Sequence, residues 1–193
     1  MTDPIIQNIN TIQERIKKAC IKAGRPVESV KLLLATKTVP AERIKIALRT
    51  GQTLIAENRV QELKEKFNEL KDTAHTNHFI GHLQTNKVKD VLKYNVTCIQ
   101  SLDRFDLAEK LHQRLLFANK SIDVLIQVNT SLEESKFGVH PDNVIKLVKQ
   151  IAPFETIKIK GLMTIGLFSA ETEKVRQCFR LLKNIQTAIA ALD

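Results

Sequence analysis

Short apolar runs alternate with amphipathic stretches along the whole chain, and no other feature limits its fold so strongly. The first stretch covers residues 5–24, where Ile5, Ile9, Ile12, Ile16, Ala19, Cys20 and Ala23 recur in steps of three and four. That period lines one helical face, and Gly24 and Pro26 end it. Strands are then expected at 30–36, 53–56, 78–81, 96–99, 122–128 and 157–165. Helices are expected at 41–49, 58–70, 86–93, 104–117, 141–151 and 171–191. Pro40 and Pro141 stand at helix starts, Asn58 and Gln61 have the spacing of a capping box, and Asp103 and Ser169 are expected caps. The run 30–36 shows no polar–apolar alternation, as strands covered on both faces do not, and 122–128 is the most apolar strand of all.

Strands alternating with helices of this length form βαβ units on a parallel sheet. An open doubly wound sheet normally carries a glycine-rich turn after its first strand. Here that place is taken by Thr36-Lys37-Thr38-Val39-Pro40. A barrel instead gathers functional side chains at the C-terminal ends of its strands. Lys37, Glu57, Asn58, His82, Gln84, Asn129 and Thr164 fall there. The expected fold class is therefore α/β and TIM-barrel-like, with about six βα units behind an N-terminal helix. No linker or shift in composition divides residues 1–193, so a single domain is expected.

Hydrophobic residues are 43% and charged residues 26%, which excludes a disordered chain. Thirty Lys and Arg against 21 Asp and Glu give a net charge of +9. Nucleic acid is the first partner such an excess suggests. The cations are nevertheless spread at helix-face spacing, Lys64, Lys66 and Lys71 among them, and read as solvated faces. Aromatic residues are 5% with no Trp, so no stacking platform for single strands is present. Cys20, Cys98 and Cys178 form no CxxC pair, and reduced thiols in a cytoplasmic protein are expected. The N-terminus lacks a signal-peptide pattern, and no apolar run approaches a membrane span.

Lys37 is the most informative residue. It closes an apolar strand, where partial desolvation of the ammonium would lower its pKa and free a nucleophilic amine. A lysine snorkelling to water is the alternative. His78 and His82 have the spacing of a helical zinc pair, but on a strand and turn that spacing does not share a face, so no metal is expected.

Five segments weigh the balance. Ala35-Thr36-Lys37-Thr38-Val39-Pro40, Glu57-Asn58-Arg59-Val60-Gln61-Glu62, the stretch from His78 to Lys87, Ser135-Lys136-Phe137-Gly138 and Gly161-Leu162-Met163-Thr164-Ile165 resemble the signature stretches of the YggS/PROSC family of pyridoxal phosphate homeostasis proteins. The resemblance implies a fold similar to the N-terminal barrel domain of alanine racemase. It implies pyridoxal 5′-phosphate (PLP) bound as a Schiff base on Lys37, without established catalysis, in the service of vitamin B6 balance. Apo PLP-dependent enzymes are the partners it suggests. Asn58, His82 and Met163 are the further cofactor-binding candidates. Each also has a plain reading: Asn58 as a helix cap, His82 as a turn residue, Met163 as packing. The Ser135–Gly138 loop either lines the mouth or is a turn with Gly138 at positive φ.

Two departures are visible. Ala56 stands where the family usually has glycine, and the chain reaches Asp193 before the segments that correspond to strands seven and eight. The expectation is a barrel lacking its last two strands and their phosphate cradle, as a monomer or an oligomer paired through open strand edges. Two other functions stay open at this level: an amino-acid racemase-like PLP enzyme, and a basic protein that binds nucleic acid or an acidic regulator. The single tyrosine, Tyr94, lies in a turn after a helix and offers the former no acid–base group.

Overall fold

In the computed structural model, which describes residues 3–192, helices and strands alternate as the sequence pattern requires. Helix α1 (Pro4–Lys22) is capped by the Asp3 carboxylate, which accepts the Ile5 amide at 2.8 Å, with a proline at the first turn. It ends at Gly24, whose φ of 61° a side chain would resist. Strand β1 (Leu34–Ala35) is followed by α2 (Ala41–Leu48), β2 (Leu54–Glu57), α3 (Val60–Leu70) and β3 (Thr76–Phe79). Then come α4 (Val88–Val91), β4 (Val96–Leu102), α5 (Phe105–Phe117), β5 (Ile122–Gln127), α6 (Val144–Ile151), β6 (Ile157–Met163) and α7 (Thr172–Ala190). The strand order is β1-β2-β3-β4-β5-β6, that of the chain. The β1–β2, β4–β5 and β5–β6 pairs are parallel.

The chain divides into two compact units, Met1–Asn77 and His78–Asp193. In the first, Ala41, Ile44 and Leu48 of α2 bury against Ile55 of β2 and Leu70 of α3, with Leu34 and Val39 packed on them. In the second, Ile99, Leu102, Leu107, Leu111, Ile126 and Ile151 are fully buried. Each such side chain stabilises the fold by about 1.5–3 kcal/mol through the apolar surface it withdraws from water. A register shift between Val124 and Leu125 pairs Leu125 with Gly161, so that β6 carries a bulge at its middle.

Several expected boundaries are corrected. The apolar run 30–36 is a strand only at Leu34–Ala35, and Ala35 is exposed rather than covered on both faces. A 3₁₀ turn occupies Val27–Ser29, and the Leu32 carbonyl takes the Gln52 side-chain amide in place of a ladder partner. Strand β3 begins two residues early because the Thr76 amide already bonds the Thr53 carbonyl at 2.8 Å. Asn58 does not cap α3: Arg59 holds the cap position and no side chain bonds there. Likewise Arg104 and Glu171 occupy the caps expected of Asp103 and Ser169. Pro141 opens a 3₁₀ turn, and α6 starts at Val144.

All three cysteines are buried and free. Strand pairing sets Cys98 beside Asp123. Burial, reinforced by that carboxylate, pushes the Cys98 thiol up to about 12. At pH 8 only about one molecule in ten thousand then carries a thiolate there. Cys98 is therefore expected to resist alkylation in the native protein at pH 8 and to react once denatured. Time-resolved labelling with peptide mass mapping checks this, and rapid native modification of Cys98 would contradict it. Among the described residues no helix is long and apolar enough to cross a membrane. None of them forms a cluster of three or more His, Cys, Asp or Glu able to hold a metal ion.

Candidate functional site: the strand ends around Lys37

The register Leu34↔Ile55 and Ala35↔Ala56 carries Lys37 and Asn58 off the same end of neighbouring strands. The ladder continues one step further, with the Thr36 amide donating to the Ala56 carbonyl at 2.9 Å. Thr36 is buried, and its hydroxyl approaches the Glu57 carboxylate (2.7 Å to Oε1) and the Ala56 carbonyl (3.1 Å). Glu57, 2% exposed, closes β2. Lys66 reaches it from α3: its Nζ lies 2.8 Å from Glu57 Oε1, 2.7 Å from Glu62 Oε2 and 2.8 Å from the Thr36 carbonyl. Three acceptors match the three donors of an ammonium group. The lysine beside Glu62, with the Thr38 backbone N–H and the Arg59 charge, holds the Glu62 carboxyl below the usual carboxylate range despite partial burial.

Lys37 follows this network directly and is exposed. The partial desolvation expected for it is thus overturned. Its residue lies past the end of β1 in a turn, so its side chain leaves the packed layer. Thr38 then adopts φ 58°, a left-handed conformation that a β-branched residue rarely takes. Asn58 is half-buried at the start of the bend that precedes α3.

Lys66 is the residue that sequence reasoning missed. Lys66 is 7% exposed, which overturns its reading as one of the evenly spread surface cations. A signal was available. Leu63, Lys66 and Leu70 share the buried face of α3 at helical spacing, so a lysine interrupts an apolar stripe four residues after Glu62.

The other two candidates lie in the second unit. His82 stands in the loop after β3, its Nδ1 3.7 Å from Asp103 Oδ2 and its ring stacked on Phe137 at 3.9 Å and 15°. Ser101 fixes that loop by donating to the Gly81 carbonyl at 2.5 Å, and Arg104 by donating to the Leu83 carbonyl at 2.7 Å. His82 is thus accounted for by a carboxylate and an aromatic face. Met163 is the last residue of β6 and half-buried, and its carbonyl accepts the Val128 amide at 2.8 Å.

The 129–139 loop is closely tied. The Asn129 side chain donates to the carbonyl of Glu133 at 2.9 Å and accepts the Leu132 amide at 3.1 Å. Gln127 Nε2 donates to the Phe137 carbonyl at 3.1 Å, and Lys136 Nζ to the Gly166 carbonyl at 3.1 Å. Gly138 has φ 126°, as the turn reading requires.

The family described as "Alanine racemase, N-terminal domain" matches residues 2–193. A pyridoxal phosphate homeostasis protein of Aquifex aeolicus is 43% identical over 180 residues, covering 93% of this chain and 78% of that protein. The structure of PipY from Synechococcus elongatus with PLP bound is 27% identical, with a TM-score of 0.79 over 94% of this chain and 82% of that one. Alanine racemase of Clostridium difficile, 15% identical, aligns with a TM-score of 0.69 over 92% of this chain and 46% of its own, which shows a shared barrel fold.

Proposed function

The chain belongs to the alanine racemase N-terminal domain family, within the group of pyridoxal phosphate homeostasis proteins, and from that premise we propose that it binds PLP through Lys37 and serves cellular PLP balance as a carrier. The observation that carries this reading is the place of Lys37: an exposed amine on a strained turn at a strand end, beside a fixed buried network. When bound, the cofactor supplies an aldehyde, the electrophile an exposed amine requires. Lys37 provides the amine, and Asn58 is the neighbouring polar group that its strand partner brings to the same end. The fit extends to the buried network, where Glu57 Oε2 is shielded from solvent and has no hydrogen-bond partner. A buried acceptor of this kind suits a cationic or donor group brought in by a ligand.

The carrier reading, as opposed to turnover, is supported by how the charged groups nearest in sequence and register are engaged. The Lys66 ammonium faces three acceptors, and Glu62 is paired with Lys66. A group so engaged is a poor general acid or base for a substrate α-carbon. A reversible covalent bond suits storage and delivery, and apo PLP-dependent enzymes are the recipients whose chemistry fits.

The test is direct. The purified protein titrated with PLP is expected to develop a visible absorbance band, and borohydride reduction followed by peptide mapping should place the adduct on Lys37. Lys37→Ala should abolish the band. An adduct confined to another lysine would overturn the reading. Exchange of amino-acid α-protons in deuterated water should run no faster than with free PLP, and a clearly faster rate would replace the carrier with an enzyme.

A further inference from the structure

The residue before Lys37 is tied at every one of its polar atoms. The Thr36 amide donates to the Ala56 carbonyl at 2.9 Å. The Thr36 hydroxyl lies 2.7 Å from Glu57 Oε1 and 3.1 Å from the Ala56 carbonyl. The Thr36 carbonyl accepts from Lys66 Nζ at 2.8 Å and from the Val39 amide at 3.0 Å. Two donors fill the two lone pairs of that oxygen. The bond from Val39 closes a four-residue turn in which Lys37 is the first corner and Thr38, at φ 58°, the second.

The strand ladder does not account for these ties. Strand β1 has two residues, and upstream of it the Leu32 carbonyl is taken by the Gln52 side chain. The additional bonds at Thr36 come from a hydroxyl and an ammonium group on residues that are 4% and 7% exposed. A buried ion pair is a poor source of stability, since apolar side chains of the same volume often serve as well. The apolar core of this unit packs through Ile44, Leu48, Ile55 and Leu70 without them. Their common effect falls on one peptide, the one that joins Thr36 to Lys37. An exposed side chain takes its direction from the backbone that carries it, and Lys37 is exposed.

We propose that Thr36 is a positioning residue: with its hydroxyl held by Glu57 and its carbonyl by Lys66, it sets the direction in which the Lys37 amine leaves the strand end to meet an aldehyde. The inference rests on the reading of Lys37 as the cofactor attachment point. In that reaction the amine nitrogen bonds the aldehyde carbon, two protons leave the nitrogen and the carbonyl oxygen departs as water. No oxidant or reductant enters. Thr36 acts on this step through the main chain alone.

The experiment compares the parent chain with Thr36→Val, which keeps the branched shape and removes the hydroxyl, and with Thr36→Ser, which keeps the hydroxyl. Each is mixed with PLP, reduced with borohydride at timed intervals and mapped. The initial rate at Lys37 is read as a ratio to that at Lys149, an exposed lysine on α6. Thr36→Val should lower this ratio about tenfold, the scale on which a misdirected nucleophile loses rate. Thr36→Ser should restore most of it. A role in folding alone would lower the denaturation midpoint of Thr36→Val and leave the ratio of the folded protein unchanged. A parent ratio in Thr36→Val therefore overturns the proposal, and so does a fall that serine does not restore. Should Thr36→Val fail to fold, the double variant Lys66→Met with Glu57→Gln is read in its place. It takes the donor from the Thr36 carbonyl without leaving Glu57 charged and unpaired. The ratio should again fall about tenfold, and a parent ratio there overturns the proposal. A parent chain in which Lys37 reacts no faster than Lys149 overturns the carrier reading and the positioning role with it.

Discussion

Lys66→Ala is expected to lower the unfolding free energy by about 3–5 kcal/mol, the cost of stranding a buried charge whose partner has been removed. Lys66 and Glu57 have side chains 9% and 2% exposed, so water cannot replace the lost donor without opening the fold. Glu57 Oε2 already has no partner, and the substitution would leave Oε1 with only the Thr36 hydroxyl. Glu62 and the Thr36 carbonyl lose a donor at the same time. For a chain of this length the melting temperature should fall by about 6–20 °C. Thermal and urea denaturation of the cofactor-free protein measure it, which keeps ligand binding from masking the loss. The double variant Lys66→Met with Glu57→Gln should be more stable than Lys66→Met alone, because no unpaired charge then stays buried. A loss below about 1 kcal/mol in Lys66→Ala, in the range of exposed ion pairs, would show that the network is solvated.

Gly138→Ala should cost about 3 kcal/mol, through backbone strain and overpacking together. A Cβ at Gly138 would stand 2.6 Å from the Asn129 nitrogen and 2.8 Å from the Val128 carbonyl carbon. Both are main-chain atoms just beyond β5, bonded to their neighbours through the Val139 amide to the Gln127 carbonyl (2.9 Å) and the Asn129 amide to the Val139 carbonyl (3.0 Å). No flexible side chain can yield, so the loop itself must move and take Phe137 off the His82 ring. Gly24→Ala is the control. Gly24 also has positive φ, 61°, but no atom lies within 4 Å of its would-be Cβ. Its loss should be limited to about 1 kcal/mol from conformation. Equal losses at the two sites in chemical denaturation would remove the close-approach argument.

The residues that behaved as the sequence pattern requires are those governed by near neighbours. The six strands occur in the expected order. Gly24 ends its helix at positive φ, and Gly138 takes the positive φ expected of a turn. Boundaries slipped where a remote group intervened. Gln52 captures the Leu32 carbonyl and shortens β1, and Thr53 draws Thr76 into β3. Asn58 has the composition of a cap, yet the chain bends at that point and α3 begins two residues later.

Read alone, the order of residues determined the class of fold, the parallel pairing of consecutive strands and the position of one lysine at the end of the first. Periodicity, helix breakers and strand length are local properties, written within a dozen residues. Only the folded molecule decided that Lys66 is buried while Lys37 is exposed, that Thr38 turns left-handed, and that a phenylalanine lies on His82. Those outcomes depend on which atoms meet across strands and loops. The energy of a charge or a strained torsion is set by those contacts and not by the letters on either side.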